Sequence, residues 1–232
     1  MIYPEAEPVQ LTRVQLQRFK QFASSSVELN PGLSIVAGGN NAGKSSFLQA
    51  LAVWEFCKIA TVAQKGSSSL LDGMTSSQGF GLGDDEFSPI NVPSLKHLWS
   101  NLKTQKTDED HDGYTLLIAC EWTDGGTAHR LAFSLALAND RLFIKVAETT
   151  LTEGDRAPVL AYLPPFAGIS AREERTFEAV RRRRIGEGLA GAVLRNLLLD
   201  MRDENTAERK RLRGEKTKIA DPDLRALRAS DP

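Results

Sequence analysis

The sequence has little cysteine and no histidine cluster. Its two cysteines, Cys57 and Cys120, lie far apart in apolar surroundings, a pattern that predicts buried free thiols rather than a disulfide or a metal pair. The three histidines, His97, His111 and His129, have no ligand-like spacing with cysteine or with one another. Nothing in the sequence therefore supports a zinc site.

Long apolar runs are also missing. No stretch of eighteen or more apolar residues occurs, and the N-terminus, MIYPEAEPVQ, lacks the basic-then-apolar profile of a signal peptide. We therefore expect a cytoplasmic location and no membrane partner. Hydrophobic residues make up 41% of the 232 residues, which is enough for a packed core and argues against wholesale disorder.

An excess of charge of one sign is absent as well. The formal net charge is −1, which argues against a surface covered by nucleic acid. The distribution is uneven, because the part from Ala171 onward carries 16 Lys and Arg against 12 Asp and Glu. This basic C-terminal part is the one compositional indication of a nucleic-acid partner.

The most informative stretch is LSIVAGGNNAGKSSFLQAL, residues 33–51. It predicts a buried strand over residues 33–37, a glycine- and asparagine-rich loop, and a helix that begins near Lys44. Gly38, four further residues, Gly43, Lys44 and Ser45 form the pattern G-x-x-x-x-G-K-S of a P-loop, or Walker A motif. The apolar strand before it and the amphipathic helix after it are the context that the motif requires.

Each position of the motif has a mechanical reason. Gly38 and Gly43 are expected to adopt backbone angles that a side chain disfavours, so that the loop curls into a nest of N–H groups. The helix N-terminus adds its unpaired N–H groups and its positive dipole end. The predicted phosphate-binding residues are Gly38, Gly39, Asn40, Asn41, Ala42, Gly43, Lys44, Ser45 and Ser46.

Three of these residues have individual predicted roles. Lys44 is the predicted catalytic residue and would contact the β- and γ-phosphates of ATP. The Ser45 hydroxyl would bind Mg²⁺, and the Ser46 hydroxyl would contact the α-phosphate. The predicted cofactors are thus ATP and Mg²⁺.

The residues before the motif extend the pattern. Residues 9–29 predict two strands, the first ending in Phe19-Lys20-Gln21-Phe22 and the second, with Val27 and Leu29, following a short serine-rich break. The turn signal Asn30-Pro31-Gly32 comes next. Together with G-N-N-A-G-K-S-S, this order resembles the SMC/RecF/OLD group of ATPases, which have ABC-type heads and are often filed as AAA family proteins. The resemblance is strong over residues 11–51 and weakens afterwards.

The resemblance implies a fold and a function. The fold would be an α/β P-loop NTPase, the N-terminal lobe of an ABC-type head, with an antiparallel β layer. ATP would bring two heads together in a nucleotide-dependent dimer that serves DNA repair, DNA metabolism or anti-phage defence. Lys20, and with it Arg18, would lie beside the nucleotide. A loop glutamine would approach the metal, and Gln64 and Gln78 are both open as that residue.

The remaining chain predicts further elements. Residues 64–92 form a flexible insertion, residues 94–102 a short helix, and the period-two segments from Tyr114 an antiparallel meander. A last strand is predicted over residues 159–163. The N-terminal lobe would then comprise residues 1–170, followed by a helical arm over residues 171–202 and a charged, disordered tail over residues 203–232. Four consecutive arginines, Arg181 to Arg184, could contact DNA phosphates, although such a run is usually a solvated helix face.

Two motifs that hydrolysis requires are not found. The segment 197–200, which ends in Asp200, has the form of a Walker B strand, but it continues a helical apolar repeat. The segment 135–140 runs into a hairpin turn and fits a meander strand better. No S-G-G-type signature segment occurs. We therefore expect this chain to be the N-terminal part of a larger ATPase that needs a C-terminal ATPase lobe or a second protomer.

Two other functions stay open. A self-contained P-loop kinase or GTPase would use the same loop, but the sequence has no guanine-reading N-K-x-D and no lid with paired arginines. A DNA-binding module without enzymatic activity would use the P-loop only for stability. Its sole support is the basic arm between Arg172 and Arg213.

Overall fold

The structure is a computed structural model, and it describes residues 9–76, 78–105, 114–163, 173–187 and 189–213. The chain divides into two compact units, Met1–Tyr162 and Leu163–Pro232. The first unit contains a β-sheet and a long helix, and the second contains two helices.

One six-stranded sheet organises the first unit. Its strands are β1 (Gln10–Phe19), β2 (Phe22–Glu28), β3 (Phe80–Leu82), β4 (Leu116–Asp124), β5 (Thr127–Ala138) and β6 (Arg141–Thr149). They lie in the order β2-β1-β4-β5-β6-β3, and every neighbouring pair is antiparallel. The predicted strand pair β1–β2 and the predicted meander β4–β5–β6 are confirmed. The predicted serine-rich break is wrong, because Ser24, Ser25 and Ser26 pair with residues 15–17 of β1 and the turn lies at residues 20–21.

The meander forms because its residues alternate. On β4 the apolar side chains of Leu116, Ile118, Cys120 and Trp122 are fully buried. Opposite the first three, Leu135, Phe133 and Leu131 of β5 are fully buried as well. The connections suit tight hairpins, because Gly125-Gly126 and Asn139-Asp140 all have positive φ. Both cysteines are free and buried, as predicted.

Helix α1 (Lys44–Lys65) packs one face against this sheet. Its central contact is Trp54, whose indole N–H donates to the Leu131 carbonyl oxygen at 2.9 Å. The Trp54 ring meets Trp122 and Phe133 edge to face, with centroids 6.2 and 6.1 Å apart. The predicted aromatic core of this helix is confirmed, and α1 is thereby held rigidly on the sheet.

The same helix also carries apolar side chains away from the sheet. Leu48, Ile59 and Val62 are exposed, although the helix is apolar on most of its circumference. By length and composition α1 would be able to cross a membrane, and 44% of its most apolar window is buried within the protein. A helix that is apolar on two faces is typical of one packed between two layers.

The predicted strand over residues 33–37 is wrong. These residues are extended, but they pair with no strand in the described part of the chain, and Leu33 and Ile35 are 78% and 81% exposed. A strand that is apolar on both faces requires a neighbour on each side. The antiparallel sheet supplies none, so the expected P-loop sheet is missing among the described residues.

Three smaller predictions also need correction. Residues 159–163 are extended without strand pairing, because residues 157–160 lie along α1 instead, where the Leu160 N–H donates to the Glu55 carboxylate at 3.2 Å. Residues 94–102 form two 3₁₀ turns, Leu95–Leu98 and Ser100–Leu102, rather than one helix. The insertion at residues 64–92 contains ordered elements, the 3₁₀ turn Ser67–Leu70 and strand β3.

The second unit contains α2 (Glu178–Gly186) and α3 (Leu194–Arg213), separated by the 3₁₀ turn Ala190–Ala192. The helical arm was predicted as one continuous element, and the structure breaks it. Residues 203–213 were predicted as disordered and instead complete α3, because its charged side chains pair along the helix, as Arg211 does with Glu208 at 2.5 Å. The predicted disorder of residues 214–232 and the segment 164–170 lie outside the described residues.

Candidate phosphate-binding site

The P-loop curls between the exposed extended segment and α1. Gly43 has φ +97° and Asn41 has φ +62°, two left-handed residues that turn the chain into the helix. The prediction is confirmed for Gly43 and wrong for Gly38, whose φ is not positive. Gly38 is constrained by space, since a Cβ there would lie 3.1 Å from the Ala42 Cβ.

The N-terminus of α1 is open to a ligand. Gly43 is its N-cap and provides no side-chain hydrogen bond, and the first turn contains no acidic residue. The first N–H groups of an α-helix have no partner within the helix, so those of Lys44, Ser45 and Ser46 remain available. Such an uncapped end, free of negative charge, favours a bound anion.

A cavity of about 350 Å³ lies at this helix end. Its lining includes no carboxylate, and Lys44 is its charged member. The lining residues are Gln21, Asn41, Ala42, Gly43, Lys44, Ser45 and Ser46. The volume corresponds to roughly ten water molecules, which is room for a phosphate chain.

Lys44 is folded back onto the loop. Its ammonium group donates to the carbonyl oxygens of Gly38 and Gly39 at 2.9 and 2.6 Å. The positive charge thus lies over the mouth of the loop and is held by neutral acceptors, which an anion can replace. Asn40 and Ser45 are exposed beside it. The lining fits a phosphate ligand, and the exposed Ser45 hydroxyl is the side chain that would hold an accompanying Mg²⁺.

The turn between β1 and β2 supplies the wall of the site. Lys20 belongs to this turn but does not line the cavity: its ammonium group donates to the Gln49 side chain of α1 at 2.5 Å, and burial lowers its pKa. Its contact with a nucleotide stays a prediction. Arg18 is directed elsewhere and donates to the Thr115 carbonyl oxygen at 3.0 Å. It therefore takes no part in the cavity lining.

Sequence reasoning missed Gln21. Its side chain accepts a hydrogen bond from the Ser46 hydroxyl at 2.7 Å and donates one to the Asn41 carbonyl oxygen at 3.4 Å. A Cβ at Gly43 would lie 2.5 Å from the Gln21 amide nitrogen. The variable position of Phe-Lys-x-Phe carries no motif signal, so only the close pairing of this turn with the P-loop could have drawn attention to it.

The structure places neither candidate loop glutamine near the P-loop. Gln64 belongs to the last turn of α1, about 30 Å along the helix from Lys44 at the rise of an α-helix. Gln78 lies at the same far end, where its carbonyl oxygen accepts a hydrogen bond from Lys65 at 2.5 Å. Both side chains are exposed, and neither is near the P-loop.

The two carboxylate candidates are also accounted for. Asp200 lies within α3 and pairs with Arg181, with Arg175 at 3.6 Å. Asp140 belongs to the hairpin turn between β5 and β6, at φ +56°. The preferred interpretations, a helix and a meander strand, are confirmed. Among the described residues no group of three or more His, Cys, Asp or Glu side chains is arranged to hold a metal ion.

The arginine run has mostly acidic partners. Arg181 is buried and pairs with Asp200, Arg182 contacts Glu178 at 2.5 Å, and Arg183 contacts Glu187 at 3.0 Å. These ion pairs give the run a structural role in α2, and they weaken the case for DNA phosphate contact, which stays a prediction.

The glycine-rich turn, the uncapped helix and the lysine together have the features of a P-loop, and the sheet and helices fit an α/β nucleotide-binding fold. Residues 13–78 match the family model described as AAA domain. This match covers β1, β2, the P-loop and α1 and supports an AAA-type P-loop ATPase domain that binds nucleotide. No curated protein shows significant similarity to the chain.

Proposed function

We propose that this chain binds Mg·ATP at the P-loop as the N-terminal part of an SMC/RecF/OLD-like ATPase. The observation that carries the proposal is the 350 Å³ cavity at the uncapped N-terminus of α1, with Lys44 at its mouth and no carboxylate in its lining. The AAA domain match over residues 13–78 supports the coarser part of the proposal, nucleotide binding by an AAA-type P-loop ATPase domain.

The roles of the residues follow from their positions. Lys44 exchanges its two loop carbonyls for phosphate oxygens, which are stronger acceptors because they are charged. The N–H groups at the start of α1 hold the phosphates, and Ser46 contacts the α-phosphate. Ser45 is the protein ligand of the Mg²⁺, which neutralises phosphate charge when bound. None of these groups moves a proton, so the site binds and orients the phosphates.

The same chain is proposed to need a second lobe for hydrolysis. Apolar side chains are exposed in the segment before the P-loop and along one face of α1: Leu33, Ile35, Val36, Leu48, Ile59 and Val62. They would be buried by parallel strands from a C-terminal ATPase lobe or another subunit, which would also bring the catalytic carboxylates. A nucleotide-dependent dimer, a cytoplasmic location and a role in DNA repair, DNA metabolism or anti-phage defence belong to this proposal.

The experiment is a titration of the purified chain with Mg·ATP, followed by thermal unfolding and calorimetry. Ligand at about 100 times its Kd adds about 2.7 kcal/mol to the free energy of unfolding, so the wild-type Tm should rise clearly. Lys44→Ala should lose this rise, whereas Lys65→Ala, at the opposite end of α1, should retain it.

A turnover assay on the same samples tests the incompleteness of the site. We expect slow ATP hydrolysis or none. Robust hydrolysis lost in Lys44→Ala would contradict the proposed need for a second lobe. Preference for GTP, or phosphate transfer to a small acceptor, would favour a self-contained GTPase or kinase instead.

A further inference from the structure

The turn between β1 and β2 is held in a strained conformation against the P-loop. Arg18, near the end of β1, and Lys20, in the turn itself, have φ values of +57° and +49°, a region that is unfavourable for residues with a side chain. Two contacts with the 3₁₀ turns hold it there: the Lys20 N–H donates to the Leu98 carbonyl oxygen at 2.8 Å, and Phe19 pairs with Trp99. Local strain that the surroundings maintain is a reason to look for a function.

This conformation places the Gln21 side chain against the P-loop. Its carboxamide bridges two parts of the P-loop, accepting from the Ser46 hydroxyl at 2.7 Å and donating to the Asn41 carbonyl oxygen at 3.4 Å. The contact is close, since Gln21 and Phe22 occupy the space where a Cβ on Gly43 would lie. The loop is thus tied to the sheet through Gln21.

This bridge competes with the proposed ligand. A serine hydroxyl has one proton to donate. While that proton is donated to Gln21, Ser46 cannot donate it to an α-phosphate. Gln21 itself is exposed and uncharged, so it can withdraw into solvent without leaving a buried polar group.

We propose that Gln21 is a positioning residue of the phosphate site that competes with the α-phosphate of a bound nucleotide for the Ser46 hydroxyl. The inference rests on the proposed function, because it assumes that the P-loop binds ATP. It adds a residue outside the Walker A motif that sets the affinity of that site. Its direction is specific: removal of Gln21 should tighten nucleotide binding.

The test measures the Kd of Mg·ATP by calorimetry for wild type, Gln21→Ala and Gln21→Asn. Asparagine retains the amide but is one methylene too short to reach Ser46. The net strength of one exposed hydrogen bond predicts that both variants lower the Kd about twofold to fivefold. Gln17→Ala removes the same group from an exposed position of β1 and should leave the Kd unchanged.

The variant Ser46→Ala provides the second background. The Kd of Gln21→Ala/Ser46→Ala should equal that of Ser46→Ala, because Gln21 then has no hydroxyl to hold. Urea unfolding without nucleotide gives a further check: the stability losses of Gln21→Ala and Ser46→Ala should be less than additive in the double variant, since both remove the same bond.

Two results would overturn the inference alone. One is weaker or unchanged ATP binding in Gln21→Ala while wild type binds and Lys44→Ala does not. The other is full additivity of the two stability losses. A wild-type chain that fails to bind Mg·ATP would instead overturn the proposed function, and the inference with it.

Discussion

At the scale of single residues, the P-loop depends on Gly43 more than on its other glycines. Gly43 combines φ +97° with crowding by Gln21 and Phe22, whose nearest atoms lie 2.5 and 2.7 Å from the position of an added Cβ. Gly39 has neither constraint, because its φ is not positive and no atom lies within 4 Å of its added Cβ. A side chain is therefore disfavoured at Gly43 by both the backbone angle and the available space, and at Gly39 by neither.

This difference predicts unequal costs of substitution. Gly43→Ala should lower the free energy of unfolding by about 1–3 kcal/mol, since a side chain is strained at this φ and meets Gln21. Gly39→Ala should change it by less than about 0.5 kcal/mol. Urea unfolding of both variants measures this, and equal losses would contradict the described loop conformation.

At the scale of elements, the segment after β6 connects the sheet with α1. Arg156 forms a bidentate pair with Asp124 at the end of β4, at 2.9 and 2.5 Å, and its carbonyl oxygen accepts from the Trp122 indole at 2.9 Å. The Lys58–Glu55 pair of α1, at 2.8 Å, is buried against the same segment through Pro158 and Leu160. One extended stretch thereby holds two layers of the domain together.

The Asp124–Arg156 pair predicts a dependence of stability on pH. The hydrogen bond from Arg156 lowers the pKa of Asp124 below its ordinary value of 3.8. The pair therefore stabilises the fold fully above that value, and its contribution is lost as the pH falls through the lower pKa of the folded state. Wild type should be more stable than Asp124→Asn at pH 7, and this difference should narrow below pH 3.8.

Urea unfolding across the acid range measures the difference. The matched control is Asp85→Asn, at an exposed aspartate of the 3₁₀ turn Asp84–Glu86. Its difference from wild type in the free energy of unfolding should not narrow over this pH range. A difference between wild type and Asp124→Asn that stays constant down to the acid limit would show that the pair contributes nothing through its charge.

At the scale of the whole molecule, the first unit packs one set of apolar side chains into a buried core and leaves another set exposed to solvent. The antiparallel sheet and one face of α1 bury a continuous core, in which Trp54, Trp122 and Phe133 are fully inaccessible. The segment before the P-loop is as apolar as a core strand, yet Leu33 and Ile35 are more than three-quarters exposed. This asymmetry is what favours a further lobe over a self-contained enzyme.

The exposure of the segment before the P-loop predicts that substitutions of two isoleucines will differ in their effect on the free energy of unfolding. Ile35→Ser should change the free energy of unfolding of the purified chain by less than about 0.5 kcal/mol, because Ile35 is solvated. Ile144→Ser, at a fully buried position of β6, should lower it by about 2–5 kcal/mol through the loss of buried apolar volume. Comparable losses would mean that residues 33–37 are packed against this chain after all.

The sequence alone determined the features that depend on near neighbours along the chain. The P-loop follows from glycine, lysine and serine at set spacings, the meander from its period of two and its turn residues, and α1 from an apolar run without Gly or Pro. Each of these is a local preference of the backbone, so it can be inferred from a few consecutive residues.

Only the tertiary structure decided the features that depend on distant segments. A strand forms at residues 33–37 only where neighbouring strands are present. The apolar composition of that segment does not reveal whether such strands are present. The contact of Gln21 with Ser46 arises because β1 and β2 bring their turn beside the P-loop, and the position of Gln64 follows from the length of α1. The motif residues are therefore encoded locally, whereas what surrounds and completes them is set by long-range packing.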